Sequence, residues 1–409
     1  MNYLSHVLSN GLRIVHLPVE SPVSYCGLAI NAGTRDESAD EFGMAHFVEH
    51  MLFKGTLKRK SWHILNRMEN VGGELNAYTT KEETFVYSVF MEEHYGRAFE
   101  LITDLIQHSQ FPKQEIEKEV DVILDEINSY KDNPSELIFD EFENLLFENH
   151  ALGHNILGDE ASLTRFTSET GRSFVERFYT ADSMVFFSMG RTKFSRIVKM
   201  AEEELGKLTH LSSEKKRIAP LSYLPLSRQI HKDTYQAHVL MGGRSYSMYD
   251  DRRTILFLLN NLLGGPGMNS RLNVVLREKH GLVYNVESNV TTYTDTGLYN
   301  IYFGTDPKNM EKSIRLVNQE IQRLRNNKLT TSQLASAKKQ LVGQLGVSSD
   351  NKEGTFLGLG KSFLHYNRYD TLPEVFQRID KITAEQMLAV ANEVFDPAQS
   401  FSLIYAPKS

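Results

Sequence analysis

The amino-acid sequence predicts an α+β protein of two tandem homologous α/β-sandwich domains, each a mostly antiparallel sheet covered by helices. Three observations predict it. At 409 residues the chain exceeds the roughly 250–300 residues at which a single hydrophobic core stops growing. Short runs of alternating apolar residues, the period of a half-buried strand, are interspersed with longer stretches of helical period. The order of those runs in the first half returns in the second.

Residues 3–33 hold three runs, YLSHVL, LRIVHLP and YCGLAINAG, separated by Asn10-Gly11 and by prolines, and these read as paired strands. From Phe42 to Gly55 the period becomes helical, and a second helix is expected over 61–70. Gly72-Gly73 then turns the chain into ELNAYTT and ETFVYSVF, whose aromatic and β-branched residues favour two more strands. Helices are expected over 92–109 and 112–131. The second opens after Phe111-Pro112, and its apolar residues Ile116, Val120, Ile123, Leu124 and Ile127 share one face. Residues 135–149 and 167–179 continue as helices, and 183–190 as a strand.

Residues 206–228 are polar and contain prolines, as linkers do, which places a boundary near Arg217 and divides the chain into domains 1–216 and 217–409. Beyond it come a strand (AHVLMGGRSY), a helix over 252–263, a Gly-rich turn and a helix over 270–279. Strands VYNVESNVT and GLYNIYFGT follow, then helices over 307–326 and 330–346.

Composition excludes several classes. The 41% of apolar and 24% of charged residues are ordinary for a folded chain, so disorder is not indicated. Net charge is −7 and the basic residues are interleaved with acidic ones, leaving no stripe to follow a phosphate backbone. The runs KRK at 58–60 and EKKR at 214–217 read as solvated faces, so no nucleic-acid partner is expected. The single cysteine, Cys26, rules out an internal disulfide and a Cys-rich metal site, and agrees with a reducing compartment. The N-terminus carries no charged region followed by an apolar core, and no stretch reaches the roughly 18 apolar residues of a membrane helix. The expectation is a soluble cytoplasmic protein with no membrane partner.

The chemistry begins at GMAHFVEHMLFKGT, where His46 and His50 are four apart with Glu49 between them. On a helix both imidazoles project from one face toward a single cation, and Glu49 lies at the rim of the same face. The order His-x-x-Glu-His inverts the usual metallopeptidase motif. Catalytic zinc takes three protein ligands and leaves the fourth position to water, so a third ligand is required. Glu119 and Glu126, seven apart on one stripe of the 112–131 helix, are both candidates. His63, His94, His154 and His238 have no ligand-like spacing and read as structural or exposed.

Together with EKEVDVILDEI downstream, this segment resembles the pitrilysin and insulin-degrading peptidase family, the inverted zincins, and most of all its half-size branch, which includes the mitochondrial processing peptidase subunits. The similarity spans essentially the whole chain. The resemblance implies a Zn²⁺ site of His46, His50 and Glu126, Glu49 as general base, and Glu119 as a carboxylate that orients a ligand. GGELNAYTTKEETFVY resembles the family's edge strand, where backbone at Asn76 and Ala77 takes the substrate as an added β-strand. GGPGMNSRLNVVLREKHGLVYNV carries Arg277 and Tyr284 in the spacing the family uses for substrate and transition state. In double-size relatives these two come from the C-terminal half, which implies a homodimer whose site is completed by the partner's C-terminal domain.

The reading is a zinc metallopeptidase that hydrolyses extended or unfolded peptides. Two alternatives stay open. A leader-removing processing peptidase would show one preferred cleavage position; a non-catalytic, zinc-containing peptide-binding subunit would need ligands but no base, and Glu49 speaks against it.

Overall fold

A computed structural model describes residues 3–209 and 217–408. The chain runs β1 (Leu4–Val7), β2 (Arg13–Pro18), β3 (Val23–Ile30), α1 (Met44–Leu52), α2 (Ser61–Glu69), β4 (Glu74–Thr79), β5 (Thr84–Met91), α3 (Tyr95–His108), α4 (Lys113–Lys131), α5 (Pro134–Leu146), α6 (Glu160–Leu163), α7 (Ser168–Phe178), β6 (Met184–Gly190) and α8 (Phe194–Glu204). It continues through β7 (Leu226–Lys232), β8 (Ala237–Ser245), α9 (Arg253–Gly264), a π-helical turn (Asn273–Lys279), β9 (Val283–Thr292), β10 (Gly297–Thr305), α10 (Met310–Asn326), α11 (Thr331–Ser348), α12 (Lys352–Tyr366), α13 (Leu372–Asp380), α14 (Ala384–Val394) and β11 (Phe401–Pro407). The expected linker, 206–228, includes residues 210–216, which lie outside the described residues; its last three residues open β7.

Two sheets result. The first has the order β1-β2-β6-β3-β5-β4 and the second β7-β11-β8-β10-β9. Apart from β1, both follow one rule: the first strand pairs with the fifth, the fifth with the second, the second with the fourth and the fourth with the third. In both, the first and fifth strands are parallel and every other pair is antiparallel. Shared order and shared strand direction make the two sheets copies of one α/β sandwich.

The compact units are discontinuous in sequence. One comprises Met1–Asn128, His154–Arg217 and Ser349–Thr371; the other comprises Ser129–Gly153, Ile218–Ser348 and Leu372–Ser409. A single cut after residue 216 therefore misses two segments. In the first unit the sheet has a core on each face, one with α1, α3 and α7 and the other with Phe356, Leu359, Phe363 and Leu364 of α12. In the second, α9, α10 and α14 cover one face, and Leu137, Ile138, Phe142 and Leu146 of α5 cover the other. Each sheet, hydrophobic on both sides, needs a helix to shield its second face, and α12 and α5 fill that role. No helix among the described residues is long and apolar enough to cross a membrane.

Candidate metal centre

The site is built on α1. Met44, Ala45, Phe47, Val48, Met51 and Leu52 are completely buried and hold the helix in the core, which leaves His46, Glu49 and His50 on the remaining stripe at i, i+3 and i+4. The helix starts at Gly43, whose φ of 92° is left-handed. Glycine has no side chain to cap the first turn, and the buried carboxylate of Glu37 supplies the cap. Its oxygens accept from Gly43 N at 2.9 Å and Ala45 N at 2.7 Å. His154 Nε2 lies 3.1 Å from the same carboxylate, and its ring stacks on Phe42.

Helix α4 brings the third donor. Ile116 and Ile123 are buried, so the stripe carrying Glu119 and Glu126 is turned toward the core, with Glu119 buried and Glu126 half-buried. Glu126 Oε2 lies 3.9 Å from His46 Nε2 and 4.0 Å from His50 Nε2. One ligand atom from each of these three residues lies within 4.8 Å of the others, the one such group of three or more among the described residues. Bonds of about 2.0–2.1 Å at tetrahedral angles require donor separations of about 3.3 Å, so small side-chain shifts would close the cage on an ion. Two imidazoles and one carboxylate form a donor set suited to catalytic zinc, with a fourth position left for water. Burial, helped by the neighbouring His50, pushes the His46 imidazole down to about 3, so it stays neutral with a lone pair to offer.

Two carboxylates frame this trio. Glu119 Oε2 lies 3.0 Å from His50 Nδ1 and Oε1 lies 2.5 Å from Lys54 Nζ. Burial alone would raise this carboxyl, but the hydrogen bonds from His50 and Lys54 outweigh it and hold it below the usual range. Of the two candidates for third ligand, then, Glu126 sits among the ring nitrogens and Glu119 sits behind His50. Glu49 accepts a 2.6 Å hydrogen bond from Thr79 Oγ1 at the end of β4. Burial raises the Glu49 carboxyl above its ordinary value, against the opposing hydrogen bond from Thr79 and the charge of His50.

Asn76 and Ala77 lie on β4, the edge strand of the first sheet, where Asn76 pairs with Tyr87 and Ala77 with Val86 of β5. No strand pairs with the outer side of β4 among the described residues. Arg277 and Tyr284 belong to the second unit, on the π-helical turn and on β9. They meet each other, with the guanidinium 5.8 Å from the ring centroid, and Tyr284 is 87% exposed.

Sequence reading overlooked three contributors. Glu37 was detectable as an acidic residue ahead of a helix start. Thr79 lies two residues beyond Ala77 and so on the same side of β4. Lys54, one helical turn after His50 on α1, is the ion-pair partner of Glu119.

Comparison with known proteins identifies the family of the chain. The family described as "Insulinase (Peptidase family M16)" matches residues 15–160, the span that holds His46, Glu49, His50 and Glu126. The family described as "Peptidase M16 inactive domain" matches 165–341. A Bacillus subtilis protein described as the uncharacterized zinc protease YmxG is 30% identical over 98% of this chain and 97% of its own length. An uncharacterized zinc protease of Rickettsia felis is 31% identical, with the same coverage of both chains. Among solved structures, a peptidase M16 inactive domain from Pseudomonas fluorescens superposes with a TM-score of 0.93 at 21% identity, covering 100% of this chain and 98% of its own. A protease from Helicobacter pylori gives a TM-score of 0.90 at 21% identity, covering 99% of each chain. The fold, the site and the relatives together show that this chain belongs to the insulinase family of peptidases, family M16.

Proposed function

We propose that the protein is a zinc metallopeptidase in which His46, His50 and Glu126 hold the ion and Glu49 is the general base. The observation that carries this reading is the convergence of three donor atoms, two imidazole nitrogens and a carboxylate oxygen, within 4.8 Å on α1 and α4, with Glu49 on the same stripe of α1. Zinc bound there would polarise the scissile carbonyl and acidify the attacking water. Glu49 takes the proton from that water and delivers it to the leaving amine. Its raised carboxyl suits both tasks, because a base nearer neutrality gives the proton back more readily. Glu119 fixes the His50 ring through Nδ1 and keeps Nε2 as the donor toward the ion.

The substrate is an extended peptide that adds to the open edge of β4 beside Asn76 and Ala77. Main-chain pairing of that kind gives affinity with little demand on sequence. Arg277 and Tyr284 serve the developing oxyanion from the second copy of a homodimer; their mutual contact and the exposure of Tyr284 support this assignment.

Metal analysis combined with a peptide-library digest tests the reading. Wild type should carry one zinc per chain and cleave peptides at several positions, and Glu49→Gln should keep the metal while losing about 10²- to 10⁴-fold in kcat. Full activity in Glu49→Gln overturns the assignment of the base. Mixing Glu49→Gln chains with Arg277→Ala chains should restore activity through hybrid dimers, and a mixture that stays dead argues against the shared site.

A further inference from the structure

Resting on the reading of Glu49 as the base, we propose that Thr79 is its positioning residue: the Thr79 hydroxyl holds one oxygen of the Glu49 carboxylate and leaves the other to take the proton from water.

The hydroxyl has two acceptors within reach, and the Glu49 carboxylate is much the nearer. Thr79 Oγ1 is 2.6 Å from Glu49 Oε2 and 3.4 Å from Thr84 Oγ1, while the Thr84 hydroxyl donates to Ala32 O at 2.9 Å. The proton of Thr84 is thus committed to backbone, and the short contact from Thr79 goes to the carboxylate, a charge-assisted bond of the stronger kind. Oε1 of Glu49 receives no hydrogen bond from the described residues and remains available.

The turn that follows Thr79 explains how the hydroxyl is kept in place. Lys81, Glu82 and Glu83 are consecutive charged residues, all buried, at 5%, 3% and 2% exposure. Burying three charges in a four-residue turn is costly unless each is paired. The two carboxylates are paired and the ammonium is hydrogen-bonded: Glu82 accepts from Arg35 at 2.7 Å, Glu83 accepts from Lys361 and from His365 Nε2 at 2.5 Å, and Lys81 donates to His154 O. The backbone is tied as well. Thr34 N donates to Thr80 O at 3.2 Å, Arg35 N to Lys81 O at 2.7 Å, and the Thr80 hydroxyl accepts from Glu82 N and Glu83 N. Gly33 packs so closely on this turn that a Cβ would come 2.4 Å from Thr80 O. A turn held by three separate segments, residues 33–35, His154 and α12, fixes the end of β4, and with it the side chain that reaches Glu49. Because β4 is also the strand on which peptide would dock, substrate register and base orientation share one rigid element.

The test compares Thr79→Val, which keeps the shape and removes the hydroxyl, with Thr79→Ser, which keeps the hydroxyl. Activity is read on a quenched-fluorescent peptide that wild type cleaves, beside Glu49→Gln as control. Thr79→Val should lower kcat by about 10- to 100-fold with KM changed less than about 2-fold and zinc content unchanged; Thr79→Ser should recover most of the loss. Crystal structures of the two zinc-loaded variants give a readout apart from turnover: the Glu49 carboxylate should be rotated or doubly occupied in Thr79→Val and single in Thr79→Ser. Wild-type kcat in Thr79→Val, a loss confined to KM, or an equal loss in Thr79→Ser overturns the proposal. If Glu49→Gln is inactive while Thr79→Val is fully active, this proposal alone fails; if Glu49→Gln is active, the reading beneath it fails.

Discussion

His50 and Glu119 are coupled through the ring nitrogen that faces away from Glu126: Nδ1 lies 3.0 Å from Glu119 Oε2, and Lys54 holds the other carboxylate oxygen at 2.5 Å. The carboxylate therefore sets both the tautomer and the rotation of a ring whose other nitrogen is one of the three converging donors.

That relationship orders the expected losses of metal. Glu119→Gln keeps the shape but weakens the acceptor, and zinc affinity measured by chelator competition should fall about 10- to 100-fold. Glu126→Gln, which replaces the anionic donor of the trio itself with a neutral amide oxygen, should lower the affinity further. Equal affinities for the two variants would contradict the roles assigned to these carboxylates.

Glu37 anchors the start of α1 by accepting from Gly43 N and Ala45 N. Glu37→Ala leaves two buried backbone N–H groups without an acceptor and should lower unfolding stability in urea by about 1–3 kcal/mol. Gly43→Ala should be destabilising for a different reason. Its φ of 92° disfavours any side chain, and a Cβ would come 2.7 Å from Leu157 O.

Glu83, 2% exposed, joins the β4–β5 turn to Lys361 and His365 of α12 within the first unit. These partners hold its carboxyl below the usual range against the raising effect of burial. Glu83→Gln removes the charge that balances them and should cost about 3 kcal/mol in urea unfolding. Losing less than about 1 kcal/mol would show that the helix is held by its apolar face alone.

Stability should fall with pH below neutrality. His16 is 1% exposed, and burial pushes its imidazole down to about 4, against the opposing effects of Glu92 and of its hydrogen bonds. In the unfolded chain the ring titrates near 6.5, so between pH 6.5 and 4 the unfolded state binds a proton that the folded state refuses. The stabilising contribution is thus complete above about 6.5 and lost as pH falls toward 4, at about 3 kcal/mol for a shift of this size. His154, also lowered to about 4 with burial as the main cause, acts in the same direction. Urea unfolding of metal-free protein at pH 7, 5.5 and 4.5 should show the decline, with a shallower one in His16→Gln. Identical slopes would remove His16 as a cause.

Sequence alone determined what depends on near neighbours. Helical period places His46, Glu49 and His50 on one stripe of α1 and Glu119 and Glu126 on one stripe of α4, because residues separated by one or two helical turns share a face whatever surrounds them. Strand-like runs marked β1 to β6 and β8 to β10, and the recurring order of elements pointed to the repeated sandwich. Helix α8 and everything after residue 348, from α12 to the interior strand β11, went unread; α12 has apolar residues on most sides and shows little period. Only the tertiary structure decided which carboxylate meets the ring nitrogens and which stands behind His50, because the two lie within about 20° of the same helical phase and are told apart by what α1 sets opposite them. The same holds for Glu37 at the start of α1, for Thr79 on Glu49, and for the segments 129–153 and 349–371 that group with the unit opposite their place in sequence. Such contacts join residues far apart along the chain, and no local period encodes them.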